Sequence, residues 1–323
     1  MFIYFWDLSA EAILLGICIS GAYVFLCEFI RLAKKWHPGL GNYDRDIFKK
    51  FAQYGIPLLG LAFVNLILSV SDRYLIEFIK DSAHVGIYSA AYKIAETGVF
   101  GIILFLMLAS FPALIEVFEN QGELKAKVFM RDLLGIFVLI MVPLVSCIVV
   151  LSMEIIDVAL GKAYREAHLI LPFIAVGIFF LGLCHYYGKS FELKEKTFVL
   201  PIVYAVPAGL NLMLNILLIP YMGIKGAAIS TLVAYFCCFI LLRTVGAKYI
   251  RWEFPWNTFF AAALSSIIMG TIIHFLPDHR IKWFSLIYKV SIGFFVYTTI
   301  IMIWDKRILS SGFDILKKKT PSA

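Results

Sequence analysis

Charged side chains occur where the sequence is otherwise apolar, within or beside two long hydrophobic segments between residues 65 and 96. They are Asp72, Arg73, Glu77, Lys93 and Glu96. An ionisable group near the centre of a bilayer costs about 2.5 to 3.5 kcal/mol on insertion scales, so such groups usually face a bundle interior or an aqueous cavity and pair with one another. This region therefore holds the residues most able to do chemistry in the chain.

The spacing of these residues follows helical periodicity. If residues 52–79 form one helix, Asn65, Ser69 and Asp72 fall on the same face because they are four and then three residues apart. In the following helix Lys93 and Glu96 repeat the pattern. The two polar stripes predict one internal compartment whose contents are charged.

The composition predicts an all-α polytopic membrane protein. Of 323 residues, 61% are hydrophobic and 16% are charged, whereas soluble domains have about 25% charged residues. Windows of about 20 residues predict nine spanning helices. They cover approximately residues 10–30, 52–79, 85–113, 132–153, 167–187, 198–219, 226–245, 258–276 and 284–304.

Most lysines and arginines lie in the connections that follow the first, third, fifth, seventh and ninth predicted spans. Since basic connections stay in the cytoplasm, this bias predicts a cytoplasmic C-terminus and an N-terminus on the outer side. The net charge of +7 follows from that topology, so no nucleic-acid partner is predicted.

Signals for catalysis, cofactors and metals are absent from the sequence. The six cysteines lie in hydrophobic runs without CxxC spacing. Gly188, Lys189 and Ser190 lack the earlier glycine of a phosphate loop. We predict a protein that is not an enzyme and has no cofactor or metal. A membrane enzyme of glycan assembly is a weaker alternative, since no sizeable aqueous loop presents acid and base groups.

Three stretches together resemble the polysaccharide transporter family of the multidrug/oligosaccharidyl-lipid/polysaccharide exporter superfamily, which flips lipid-linked oligosaccharides. The first is YGIP at 54–57 with SDRY at 71–74, and the second is VGIYSAAYKIA at 85–95. The third is NLMLNILLIP at 211–220 with GIKGAA at 223–228. The resemblance covers about residues 50–240.

The resemblance implies a two-lobe bundle around a central, often cationic cavity, of which this sequence matches the second lobe. It implies one helix and a basic cytoplasmic linker at 1–50, a six-helix second lobe at 51–245, two additional helices at 246–304 and a basic cytoplasmic tail at 305–323. Most of the first lobe has no counterpart in these 323 residues.

The implied activity is translocation of a polyprenyl-pyrophosphate-linked oligosaccharide by alternating access. Arg73 and Lys93 are the cations expected to compensate the anionic pyrophosphate, since arginine suits bidentate phosphate contact. Asn65 and Asn211 complete the expected substrate-binding set. For Asn211, an interhelical hydrogen bond is the alternative.

The acidic residues Asp72, Glu77 and Glu96 have two alternative roles. Asp72 and Glu96 either hold the cations in place or bind a driving proton or sodium ion. Alternatively, Arg73 pairs with Asp72 or Glu77 and Lys93 pairs with Glu96, only to make the helices insertable.

Two further functions remain open from the sequence: a drug or cation exporter of the same superfamily, and a non-transporting half that needs a separate first-lobe polypeptide. The expected location is a prokaryotic plasma (inner) membrane. The expected partners are the lipid-linked oligosaccharide, membrane lipids and polysaccharide-assembly proteins.

Overall fold

The computed structural model describes residues 10–35 and 45–304, and every regular element within these ranges is helical. Nine helical segments in the described ranges are long and apolar enough to cross a membrane. Their positions match the nine predicted spans, which confirms the prediction of an all-α polytopic membrane protein. The predicted basic tail at 305–323 lies outside the described residues.

The α-helices are numbered in chain order, with two single 3-10 helices and one π-helix between them. They are α1 (Ala10–Lys35), α2 (Arg45–Ile79), α3 (Ser82–Ala95), the π-helix Glu96–Phe100, α4 (Gly101–Gln121), α5 (Glu123–Val150), α6 (Ser152–Ala159), the 3-10 helix Lys162–Leu169, α7 (Leu171–Leu193), the 3-10 helix Thr197–Val199, α8 (Leu200–Met222), α9 (Ile224–Gly246), α10 (Trp256–Phe275) and α11 (Lys282–Trp304).

The chain divides into two compact units, residues 1–52 and 53–323. The helix α1 belongs to the first unit. The charged residues singled out in the sequence belong to the second, which includes α2 from residue 53 onward. The predicted domain boundaries at 50, 245 and 304 stay predictions.

Close packing of α8 against α9 shapes the core of the second unit. A Cβ atom on Gly226 would lie 2.6 Å from the backbone oxygen of Leu218, so only glycine allows the two backbones to approach this closely. Gly226, Ser230 and Ala234 form a buried stripe along α9. Side chains on α8 and α9 that point toward α2 are thereby brought within hydrogen-bond reach of it.

The helices α10 and α11 pack on α5 and α6 through a smaller apolar cluster that includes Met269, Ile273 and Tyr297. Charged residues hold the end of this region together. The enclosed side chain of Lys289 on α11 contacts Glu154 at 3.2 Å and Asp278 at 2.5 Å.

A second pair of contacts adjoins this network, around a carboxylate that lies outside the spanning segments. Arg165 and Lys282 both donate hydrogen bonds to Asp157, at 2.9 Å and 2.5 Å. These bonds favour the ionised carboxylate and hold the pKa of Asp157 at about 2, below its usual value. The α6 region is thus joined to α11 by ion pairs as well as by apolar packing.

We expect Lys289→Met to lower the stability of the protein by about 2 kcal/mol, because it leaves Glu154 and Asp278 without their cation. The loss stays below that of a fully buried pair because Asp278 is largely exposed. Lys282→Met is the matched control, and we expect it to cost less than about 1 kcal/mol because its side chain is half exposed. Thermal unfolding in detergent measures both variants, and equal losses would contradict this assignment.

Candidate functional site

Asp72 on α2 is a buried carboxylate surrounded by neutral donors from three other helices. It is 1% exposed. The hydroxyl groups of Tyr88 on α3 and Thr231 on α9 both donate to its Oδ2 at 2.6 Å. The Nδ2 group of Asn215 on α8 donates to its Oδ1 at 2.5 Å. One acidic side chain therefore joins four helices of the second unit.

A second layer of polar groups surrounds this cluster. The Oδ1 atom of Asn211 accepts hydrogen bonds from Ser71 and Asn215, each at 3.1 Å. The Nδ2 group of Asn211 and the Oδ1 atom of Asn215 have no hydrogen-bond partner among the described residues. A free acceptor oxygen thus belongs to the same amide that bonds Asp72.

No cationic side chain of the described residues lies within 4.0 Å of the Asp72 carboxylate. A buried charge without a counter-charge is very costly in a low-dielectric interior, so it is neutralised by a proton or compensated by a cation. The carboxylate, the hydroxyl oxygens and the free amide oxygen are hard oxygen ligands. This cluster can therefore bind a proton or a small cation.

Arg73 is next to Asp72 in sequence but bonds a different set of groups. Its Nη1 donates to the backbone oxygen of Ser69 at 2.6 Å, and its Nε donates to Ser89 on α3 at 3.2 Å. The guanidinium also lies 4.9 Å from the ring centre of Tyr92. The alternative in which Arg73 pairs with Asp72 or Glu77 is not observed.

Lys93 and Glu96 form an ion pair at 3.0 Å, as one alternative from the sequence proposed. The Lys93 side chain is 75% exposed and that of Glu96 is 42% exposed, although both lie in a spanning segment. Glu96 also begins the π-helix Glu96–Phe100, a distortion that is frequent at functional sites. The pair marks an open polar face on α3.

Glu77 lies in the last turn of α2. It accepts a hydrogen bond from Ser82 at 2.7 Å. In the turn between α2 and α3, Asp81 caps α3. It accepts hydrogen bonds from the backbone nitrogen of His84 at 2.9 Å and from the His84 ring at 2.8 Å. These bonds hold the pKa of Asp81 below its usual value. These bonds stabilise the turn that joins α2 to α3.

The structure thus separates the predicted residues into distinct environments. Asp72 and Asn211 come together inside the bundle, whereas Asn65 is exposed on α2. Sequence reasoning missed Tyr88 and Thr231, which bond Asp72 directly. Tyr88 lies inside the VGIYSAAYKIA stretch at 85–95, and Thr231 follows Ser230 of the buried stripe along α9. Both positions therefore adjoin features that the sequence makes visible.

We expect Asp72→Ala to destabilise the protein by about 3 kcal/mol, since it removes the acceptor that three buried donors share. Asp72→Asn retains one acceptor oxygen and is expected to cost about 1 kcal/mol. The exposed Asn65→Ala is the control on the same helix. Thermal unfolding in detergent gives the ranking, and an Asp72→Ala protein as stable as Asn65→Ala would show that the cluster does not hold the helices together.

Several known proteins are similar in sequence to this chain. A family model described as "Polysaccharide biosynthesis protein" matches residues 1–169. The chain is 22% identical over 253 residues to the probable low-salt glycan biosynthesis flippase Agl15 of Haloferax volcanii, with 77% of this chain and 53% of the relative aligned. It is 24% identical over 270 residues to the probable lipid II flippase MurJ of Thermotoga maritima, with 80% and 52% aligned.

The fold is similar to a solved structure of lipid II flippase MurJ in an inward closed conformation. The TM-score is 0.71 at 20% sequence identity, over 87% of this chain and 60% of that structure. The chain spans about half the length of the curated relatives that it matches. Because the family model covers more than half of its 323 residues, this chain belongs to the polysaccharide biosynthesis protein family.

Proposed function

We propose that this chain acts in moving a polyprenyl-pyrophosphate-linked oligosaccharide across a prokaryotic plasma membrane for surface polysaccharide synthesis, without being an enzyme itself. Both curated relatives are named as flippases. Alternating access, in which two lobes rock around a site near the middle of the membrane, is the mechanism that we infer for this movement.

The observation that carries the proposal is the position of Arg73. Its guanidinium lies between α2 and α3, bonded only to a backbone oxygen and a serine hydroxyl, with no carboxylate within 4.0 Å among the described residues. Lys93 adds a second cation on α3 whose exposed side chain is paired with Glu96 alone. An uncompensated arginine supports binding of a diphosphate, which accepts paired hydrogen bonds from a guanidinium.

Asp72 supports a separate role in coupling. Its enclosed carboxylate takes a proton or a sodium ion, and the hydroxyl groups of Tyr88 and Thr231 supply neutral oxygen atoms next to it. Asn211 lies in the second layer of this cluster and is 0% exposed, so a sugar reaches it only if α2 and α8 separate. We therefore place the substrate at Arg73 and the coupling ion at Asp72.

The substrate assignment is tested by deleting the gene in its source cell and quantifying polyprenyl-pyrophosphate-linked oligosaccharides by mass spectrometry. We expect a completed repeat unit to accumulate and the 323-residue chain to relieve the accumulation. Arg73→Ala should lower the rate of relief about tenfold or more, because a hydrogen bond from a charged donor contributes about 1.5 to 3 kcal/mol. Arg73→Lys should relieve the accumulation at a rate between those of the wild type and Arg73→Ala, since it keeps the charge but not the paired donors.

Lys80→Ala is the control, because Lys80 is an exposed cation just beyond the end of α2. Immunoblots of the membrane fraction normalise the amount of each variant. An unchanged lipid pool after deletion, with no second flippase in the cell, would contradict the lipid-linked substrate and favour drug export. Relief of accumulation by Arg73→Ala at the wild-type rate would contradict only the role of this arginine.

The coupling assignment is tested on purified protein by thermal unfolding in sodium, potassium and N-methylglucamine chlorides at equal ionic strength and at several pH values. At a sodium concentration ten times the Kd, we expect stabilisation by about 1.4 kcal/mol, and we expect Asp72→Asn to lose it. A dependence on pH alone, also lost in Asp72→Asn, identifies the proton instead. A wild-type protein that responds to neither ion would refute ion binding at Asp72.

A further inference from the structure

The connection between α9 and α10 combines basic and aromatic residues at the ends of two adjacent spans. Arg243 lies in the last turn of α9, and Trp256 begins α10. Lys248 and Arg251 lie between them and are exposed. Tryptophan at the end of a span is typical of the membrane–water boundary, which is where lipid phosphates lie.

The Arg243 guanidinium is stacked on the aromatic surface of this corner. It lies 5.6 Å from the ring centre of Trp256. The Trp256 ring in turn stacks on Phe260 at 5.9 Å with 25° between the planes. Trp256 is 48% exposed and Phe260 is 62% exposed, so the apolar side of the stack is open toward the acyl region. Stacking holds the guanidinium without occupying its hydrogen-bond donors.

The cations of this corner have no counter-charge within the described part of the chain. The one acid in the loop, Glu253, contacts Arg131 on α5 at 3.5 Å. No carboxylate of the described residues lies within 4.0 Å of Arg243, Lys248 or Arg251. The corner therefore presents three positive charges that no acidic side chain neutralises.

Two enclosed donors of the same region also lack an acceptor. The Tyr187 hydroxyl on α7, whose ring packs on Phe239 of α9, has no hydrogen-bond partner among the described residues. The same holds for the Nε1 group of Trp252, which is 5% exposed and lies in the α9–α10 loop. Buried donors without an acceptor are uncommon in folded proteins, and bound ligands are one way in which they are satisfied.

We propose that an anionic phospholipid binds at this corner, with its phosphate on Arg243 and its acyl chain along Trp256 and Phe260. Lys248 and Arg251 raise the local concentration of anionic lipid, since each basic residue near a charged membrane surface contributes an attraction of its own. Phosphate oxygens are suitable acceptors for the Arg243 donors that stacking leaves free. The site is separate from Arg73 and Asp72 and does not depend on the transported substrate.

The test uses the full chain in nanodiscs of phosphatidylcholine with or without phosphatidylglycerol, and native mass spectrometry of the lipids that stay bound. We expect the protein to retain phosphatidylglycerol preferentially. Arg243→Gln should lower that preference about fivefold, as should Arg251→Gln, the amount expected for one lost cation near a membrane surface. Arg243→Lys should retain part of the preference for phosphatidylglycerol. Lipid binding by this variant also shows that the protein folds with a substitution at position 243.

Arg131→Gln is the matched control, because this arginine contacts the same loop but is already paired with Glu253. Its preference for phosphatidylglycerol should equal that of the wild type. A loss in Arg131→Gln as large as in Arg243→Gln would show a general attraction to basic surface and overturn the site. Equal retention of phosphatidylcholine and phosphatidylglycerol by the wild type, or displacement of the bound lipid by inorganic pyrophosphate at constant ionic strength, would overturn it as well.

Discussion

The enclosed carboxylate of Asp72 is the constraint on which the second unit depends. In a low-dielectric interior an acid must be hydrogen-bonded and neutralised, and neutral partners satisfy only the first need. Tyr88, Asn215 and Thr231 come from three different helices. Their convergence requires the close α8–α9 contact at Gly226, where a side chain would collide with the opposite backbone. Backbone packing and the polar cluster therefore determine one another.

The orientation of α2 separates its acidic side chain Asp72 from its basic side chain Arg73. Neighbouring residues on a helix point about 100° apart, so Asp72 and Arg73 face different partners although they are adjacent in sequence. Asp72 reaches the interior between α8 and α9, and Arg73 reaches Ser89 on the side of α3. One helix thus carries the group proposed to bind a cation and the group proposed to bind an anion. A change in the charge of Asp72 alters the contacts that position α2, and α2 also carries Arg73. This shared helix is a physical basis for coupling the two proposed sites.

Hydropathy predicted all nine spans found in the described part of the chain, because apolar length is a local property of the sequence. Spacing also predicted Asp72 as a residue of interest, and the Lys93–Glu96 pair was one of two stated alternatives. Periodicity within one helix could not reveal which helix would face Asp72, because that choice depends on packing between α8 and α9. For this reason Tyr88 and Thr231 were missed, and Asn65 was placed with Asp72 although the structure leaves it exposed.

The exposed pair of Lys93 and Glu96 restricts what can lie against α3. A charge facing acyl chains costs about 2.5 to 3.5 kcal/mol on insertion scales, and pairing at an exposed position offsets only about 1 kcal/mol of that. Apolar residues such as Leu104 and Phe105 continue the open surface along α4, where acyl chains are suitable neighbours. Around Lys93 the neighbour must instead be water or polar protein. An aqueous compartment beside α3 meets this requirement, and it places the cations of α2 and α3 along the route proposed for an anionic headgroup.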